Sequence, residues 1–334
     1  MKKTAAIVTV IVVAALAGFG AWYFEVARKT YSGALQPITF GGLVSDTALV
    51  LFAAEDRHFF TENGIDFTFK TYDTGLAPIA DLLRNKIDIA GPAEYPIAAK
   101  AFEKAPISII ASIDKSYVIY FVGLTGRGIK NGADIKGKKI GLPRGAIQEF
   151  YLGRFLSLHG MSIRDVALVD VPGGQAGDAI AQGTVDAVMT WEPYVSQILK
   201  QHPHGMVSWS AQSSQAVYPV LVCRNDWIEQ HPDLVKRFLH ALNQAEGYIV
   251  EHPAEAKAIL RERYHYDDEY VARIWPEHQF ALSLDQSLIV ALEDEARWMI
   301  GNNMTSEKQV PDFLNYIYED GLKAIKPEAV SIIR

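Results

Sequence analysis

Two carboxylates and an indole stand at matching places in this chain. Glu94 lies in Gly91-Pro92-Ala93-Glu94-Tyr95-Pro96 and Glu192 in Trp191-Glu192-Pro193-Tyr194, each just after a short apolar run. A carboxylate there accepts N–H groups from a bound molecule, Trp191 offers a stacking face, and Tyr95 sits beside Glu94. A structural Trp-Glu-Pro corner is the alternative reading. Pro143-Arg144-Gly145 turns a strand-like run into a helix-like one, which aims backbone N–H groups and a positive dipole end at whatever lies above the turn; Arg144 adds a full charge. Ser45-Asp46-Thr47 forms a second strand-to-helix turn, whose residues serve as helix caps or as ligand contacts. Tyr218 is placed near the same cleft, with packing at a crossing between lobes as its alternative. Two carboxylates facing one small cleft would repel a plain anion, so the expected ligand carries positive charge or N–H donors.

The elements that must position these residues are written twice. In the first pass, Ile38–Gly41, Ile65–Thr71 and Ile87–Ala90 read as strands, with helices up to His58, over Leu76–Asn85 and from Ile97. In the second, Lys139–Leu142, Ala167–Val171 and Val185–Val188 are strands, and Gln148–Leu158 and Gly177–Gln182 helices. Gly64 and Gly160, Asp88 and Asp186, and Glu94 and Glu192 recur at a nearly constant offset, which predicts two similar α/β lobes. Their sheets should be mostly parallel, with ligands outside the carboxyl ends of the strands. The expected division is residues 36–124 plus 216–334 for the first lobe and 125–215 for the second. The tail is helical in pattern, including a helix over Val310–Ile325, and is expected to pack on the first lobe.

The chain has 334 residues, 49% of them apolar, enough for two cores, and its net charge of −7 without a basic run argues against nucleic acid as a partner. Residues 1–35 begin with Met1-Lys2-Lys3 and an uncharged stretch to Phe24, read as either a secretory signal or an uncleaved membrane anchor with a tether; its length favours the anchor. The single cysteine, Cys223, lies in an apolar run and excludes an internal disulfide. The nine histidines show no metal-ligand spacing, and neither a nucleophile triad nor a dinucleotide loop is present, so no catalytic residue, metal or cofactor is expected.

The tracts LFAAEDRHFFTENGIDFTF, ADLLRNKIDIAG, GKKIGLPRGAIQEFYLGRFL and IAQGTVDAVMTWEPY, together spanning about Ile38 to Glu251, resemble the substrate-binding proteins of nitrate/sulfonate/taurine-type ABC importers, a group that includes binders of the thiamine pyrimidine precursor. The resemblance implies a type II periplasmic-binding-protein fold: two α/β lobes joined by a two-strand hinge and closing on a small solute, delivered to an ABC permease and its ATPase by a monomeric receptor at the outer face of the membrane. Where that family carries Ser or Thr after the glycine matching Gly145, this chain has Ala146 and Ile147, which weakens the expectation of a bare oxyanion. The expected ligand is a sulfonate or taurine-like zwitterion, or alternatively an aminopyrimidine or other nitrogen heterocycle. Fungal pyrimidine synthases share the fold, but their cysteine-rich segment is absent here; a tethered sensor is the third reading.

Overall fold

A computed structural model describes residues 31–334. The expectations for the N-terminal signal or anchor lie outside those residues, apart from the short tether that follows. Among the described residues no helix is long and apolar enough to cross a membrane.

Two five-stranded sheets form the frame. The first contains β1 (Gln36–Gly42), β2 (Ile65–Thr71), β3 (Ile89–Gly91), β4 (Ile107–Ser112) and β10 (Val220–Arg224), in the order β2-β1-β3-β10-β4. The second contains β5 (Ile119–Leu124), β6 (Lys139–Leu142), β7 (Ala167–Asp170), β8 (Ala187–Trp191) and β9 (Met206–Ser210), in the order β7-β6-β8-β5-β9. In each sheet one strand runs against the rest: β10 is antiparallel to β3 and β4, and β5 to β8 and β9. The two sheets therefore repeat one topology, as the doubled sequence pattern predicts.

The repeat extends to single hydrogen bonds. Asp88 accepts the Thr39 N–H at 2.8 Å while its own N–H reaches the Thr39 carbonyl, and Asp186 does the same for Lys139 at 2.9 Å. In both cases the carboxylate satisfies an orphan donor of the neighbouring parallel strand. Gly64 and Gly160 take φ of 73° and 68°, left-handed values that end each helix where a side chain would be strained.

The chain crosses between the sheets at residues 113–118 and 211–219. Ser116 and Val217 pair antiparallel there, and the Gln212 side chain laces both crossings, accepting from the Ile119 N–H and donating to the Ser116 and Gln215 carbonyls. β5, which the sequence reading assigns to the first lobe, lies in the second sheet. An apolar strand reads alike on either side of a crossing, and only its pairing reveals its place.

The tail packs largely on the first sheet. Along the helix Pro232–Glu251, Leu234, Val235, Phe238, Leu239, Leu242, Ala245 and Ile249 are buried at helical spacing, against the helices Leu49–Asp56 and Asp320–Ile325. Burial of one such large side chain contributes roughly 1.5–3 kcal/mol. The predicted continuous helix over Val310–Ile325 is absent. Only Phe313–Tyr316 and Asp320–Ile325 are helical, because Ile317 extends and pairs with Ile109 at the edge of β4.

Candidate ligand-binding site

The carboxyl ends of both sheets open onto one cavity of about 310 Å³. Its walls come from segments that follow β1 (Leu43, Ser45, Thr47, Ala48), β3 (Pro92, Ala93, Pro96), β6 (Pro143, Arg144, Ala146, Ile147, Gln148), β7 (Asp170 and Pro172) and β8 (Trp191). The crossing residues Ser116, Val118, Val217 and Pro219 contribute as well. Several helices begin at this edge, so their N-terminal N–H groups give the space a positive cast. The remaining wall is mainly apolar, with Phe40, Leu51, Leu76, Ile113 and Ile119, and includes Thr74, whose hydroxyl accepts the Ala77 N–H. The volume is at the small end of the roughly 300–1,000 Å³ common for ligand pockets.

The turn after β6 is shaped by its own carboxylates. Glu149, buried in the first turn of the helix Ile147–Leu158, accepts the Gly145 N–H at 2.8 Å and pairs with the Arg144 guanidinium at 3.1 Å; Asp170 accepts the Arg144 N–H at 3.1 Å. Gly145 has φ of 69°, the left-handed conformation that the tight turn requires. Ala146 is the N-cap and offers no side-chain bond, so the first helical N–H groups face the cavity side uncapped by a side chain. Across the space, the Ser45 and Thr47 hydroxyls bond to one another at 2.7 Å. Trp191 meets Tyr194 edge-on, and its indole lies where a Cβ on Gly173 would be only 2.2 Å away, so glycine there makes room for the ring.

Of the residues singled out in the sequence, Ser45, Thr47, Arg144, Ala146 and Trp191 line this cavity, with Gly145 holding the turn between two of them. Asp46, Glu94, Tyr95, Glu192 and Tyr218 are not among its lining residues. Asp46 is fully buried, accepts the Tyr270 hydroxyl at 3.2 Å and lies 3.5 Å from His278 Nε2. His278 Nδ1 in turn meets Asp114 at 2.7 Å. Burial alone would lower the His278 pKa, but Asp114 and then Asp46 outweigh it and hold the ring protonated up to about 10.

Glu94 accepts the Tyr218 N–H at 3.0 Å and is coupled to buried Glu295; burial pushes both carboxyls up, and the neighbouring carboxylate pushes Glu295 further. Tyr95 is buried and donates to Met304 Sδ at 3.6 Å. Glu192 pairs with Arg273 at 2.9 Å and accepts from Ser196.

The Tyr218 hydroxyl donates to Ser287 at 2.7 Å, on the wall of a more open groove of about 610 Å³ behind the crossings, shared with Tyr117. Lys115 in that groove is paired with Asp285, so its main cation is already matched. The inner cavity, not this groove, joins both sheet edges.

Sequence reasoning passed over Ser116, Gln148 and Asp170 as cavity residues. Gln148 and Asp170 each lie beside a strand-to-helix turn at the carboxyl edge, a positional signal that was available; Ser116 depends on where the crossing falls.

A fold with two sheets meeting edge-on across one small cavity defines a two-lobed solute-binding architecture. Residues 47–256 match the family described as NMT1/THI5 like, and the chain belongs to that family. A binding protein of Brucella abortus (strain 2308), named provisionally as such, is 27% identical over 61% of this chain, and the match spans 63% of that relative's length, under two thirds. A Bacillus subtilis (strain 168) protein provisionally named as an aliphatic sulfonates-binding protein is 28% identical over 82% of each chain. Among solved structures, the alkanesulfonate-binding protein from Xanthomonas axonopodis pv. citri bound to MOPS superposes with a TM-score of 0.75 at 17% identity, covering 86% of this chain and all of that one.

Proposed function

We propose that this chain is the extracytoplasmic solute-binding component of an ABC importer, taking a small sulfonate or taurine-like zwitterion between its two lobes. The observation that carries this reading is one cavity bounded at once by the turns after β1 and β3 and by the turn after β6 with Trp191 at the end of β8. A molecule held by one lobe gains its remaining contacts only when the other lobe closes, so binding shifts the population toward a closed form that a permease can read. The first lobe takes the first sheet and the C-terminal helices, the second lobe the second sheet, and residues 113–118 and 211–219 form the hinge. The N-terminal segment serves as signal or anchor, and the partners are the permease and its ATPase.

Helix N-termini favour an anionic head group, and the apolar part of the wall favours an organic body over nitrate. The expectation of facing carboxylates no longer supports a positive group on the ligand, because Glu94 and Glu192 have partners outside the cavity. An aminopyrimidine is the second reading, supported by the Trp191 face in the cavity wall. Binding rather than catalysis is supported by the relatives, which are named as binding proteins.

Thermal denaturation of the purified chain with sulfonates, taurine, nitrate, amino acids and pyrimidines tests the assignment. A true ligand at 100 times its Kd should stabilise the fold by about 2.7 kcal/mol. No stabilisation by any sulfonate or pyrimidine would contradict it.

A further inference from the structure

Among the described residues, two polar side chains in the cavity wall have no hydrogen-bond partner. Gln148 is 6% exposed and Ser116 0%, and both line the cavity. The Ser116 hydroxyl is wholly buried and unbonded; the Gln148 amide is not among the wholly enclosed atoms, and no hydrogen bond from another described residue reaches it. The other polar groups of the wall are already matched: Ser45 with Thr47, Arg144 with Glu149, and Asp170 with the Arg144 N–H. Buried polar groups are nearly always hydrogen-bonded, so an occupant of this space is what Ser116 lacks and what the Gln148 amide, on the cavity wall, can meet.

We propose that Gln148, assisted by Ser116, is the specificity-determining residue of this cavity, and that it selects ligands that carry an N–H or O–H donor beside an acceptor. This rests on the reading that the cavity is the solute site. An amide presents donors and an acceptor side by side. Sulfate, nitrate or a plain alkanesulfonate accepts only, so it would meet the amide N–H and leave the amide oxygen buried and unpaired. Either orientation of the amide leads to the same demand. A site with a buried hydrogen-bonding group rejects ligands that lack the complementary group far more strongly than an apolar wall rejects a changed methylene. The favoured chemistry is an aminosulfonate or the amine edge of an aminopyrimidine, which pairs with a glutamine amide through two parallel bonds.

The experiment is calorimetric titration of the full chain with ethanesulfonate, taurine and 4-amino-2-methylpyrimidine, repeated on Gln148→Leu, Ser116→Ala and Ala146→Trp. At least one amine-bearing probe should bind, and more tightly than ethanesulfonate. Gln148→Leu should weaken that probe by about tenfold or more while changing ethanesulfonate by less than about twofold. Ser116→Ala removes one oxygen only; it should weaken the same probe by roughly threefold to tenfold, which keeps the test open if the leucine variant fails to fold. Failure of both amine-bearing probes to bind, or equal loss for amine-bearing and acceptor-only probes, overturns the proposal. Binding that survives Ala146→Trp overturns instead the assignment of the cavity as the solute site.

Discussion

The two sheets reuse one design down to Asp88 and Asp186, yet the glutamates that follow β3 and β8 meet opposite fates. Glu94 is buried beside another carboxyl, Glu295, with burial pushing both toward the protonated form. Glu192, equally buried, pairs at 2.9 Å with Arg273, which reaches it from the C-terminal helix Asp268–Ile274. The backbone requirement at each place is the same, and so is the position after a strand. What differs is the distant partner, so topology repeats while charge does not. The strand-to-helix turns differ likewise: Asp46 is tethered by Tyr270 and His278, whereas the Arg144 turn is tied by the nearby Glu149.

The largest expected effect separates those turns. His278→Leu would leave Asp46 and Asp114 buried without their cation, destabilising the chain by about 3–5 kcal/mol in denaturant titration. The folded imidazolium keeps its proton to about 10, above the value of an unfolded histidine near 6.5. Its contribution is therefore complete below about 6.5 and is lost as pH rises through about 10, a loss that unfolding curves at successive pH values should show and the leucine variant should lack.

Arg273→Met strands Glu192 in the second lobe. Arg273 itself is half exposed, which lowers the expected cost to about 2 kcal/mol by the same measurement. An unchanged midpoint would erase the contrast with Glu94.

Asp88→Ala and Asp186→Ala sharpen the likeness between the sheets. Each removes a carboxylate that satisfies a strand N–H, so each should cost about 1–2 kcal/mol, and the two should agree within about 0.5 kcal/mol. Glu94→Gln should change the midpoint least below about pH 4.5, where Glu94 carries its proton in both the folded and the unfolded chain. Its folded pKa, raised to about 8, makes the stabilisation fullest below about 4.5 and lost as pH rises through about 8; the glutamine variant should flatten that slope.

Much of this was legible in the sequence. Strand and helix alternation, the doubled motif and the strand-to-helix turns located the carboxyl edge where the cavity lies, because they depend on local periodicity and turn chemistry. The side chains that face inward were harder to read. Glu94 and Glu192 look identical until Tyr218, Glu295 and Arg273 arrive from distant parts of the chain, and Ser116 enters the wall only once β5 is known to pair with β8. Ile317 left its helical pattern for the same kind of reason, a distant strand edge that could take its backbone bonds.

The central claim is that one solute is gripped by both sheet edges together. Titration calorimetry with a stabilising ligand on two cavity-filling variants tests it, Ala93→Trp after β3 and Ala146→Trp after β6, each from one edge of the same cavity. Loss of binding heat in both is the predicted result. Retention of near-normal affinity in either would show that the ligand does not need both edges, and would contradict a cleft closed by two lobes.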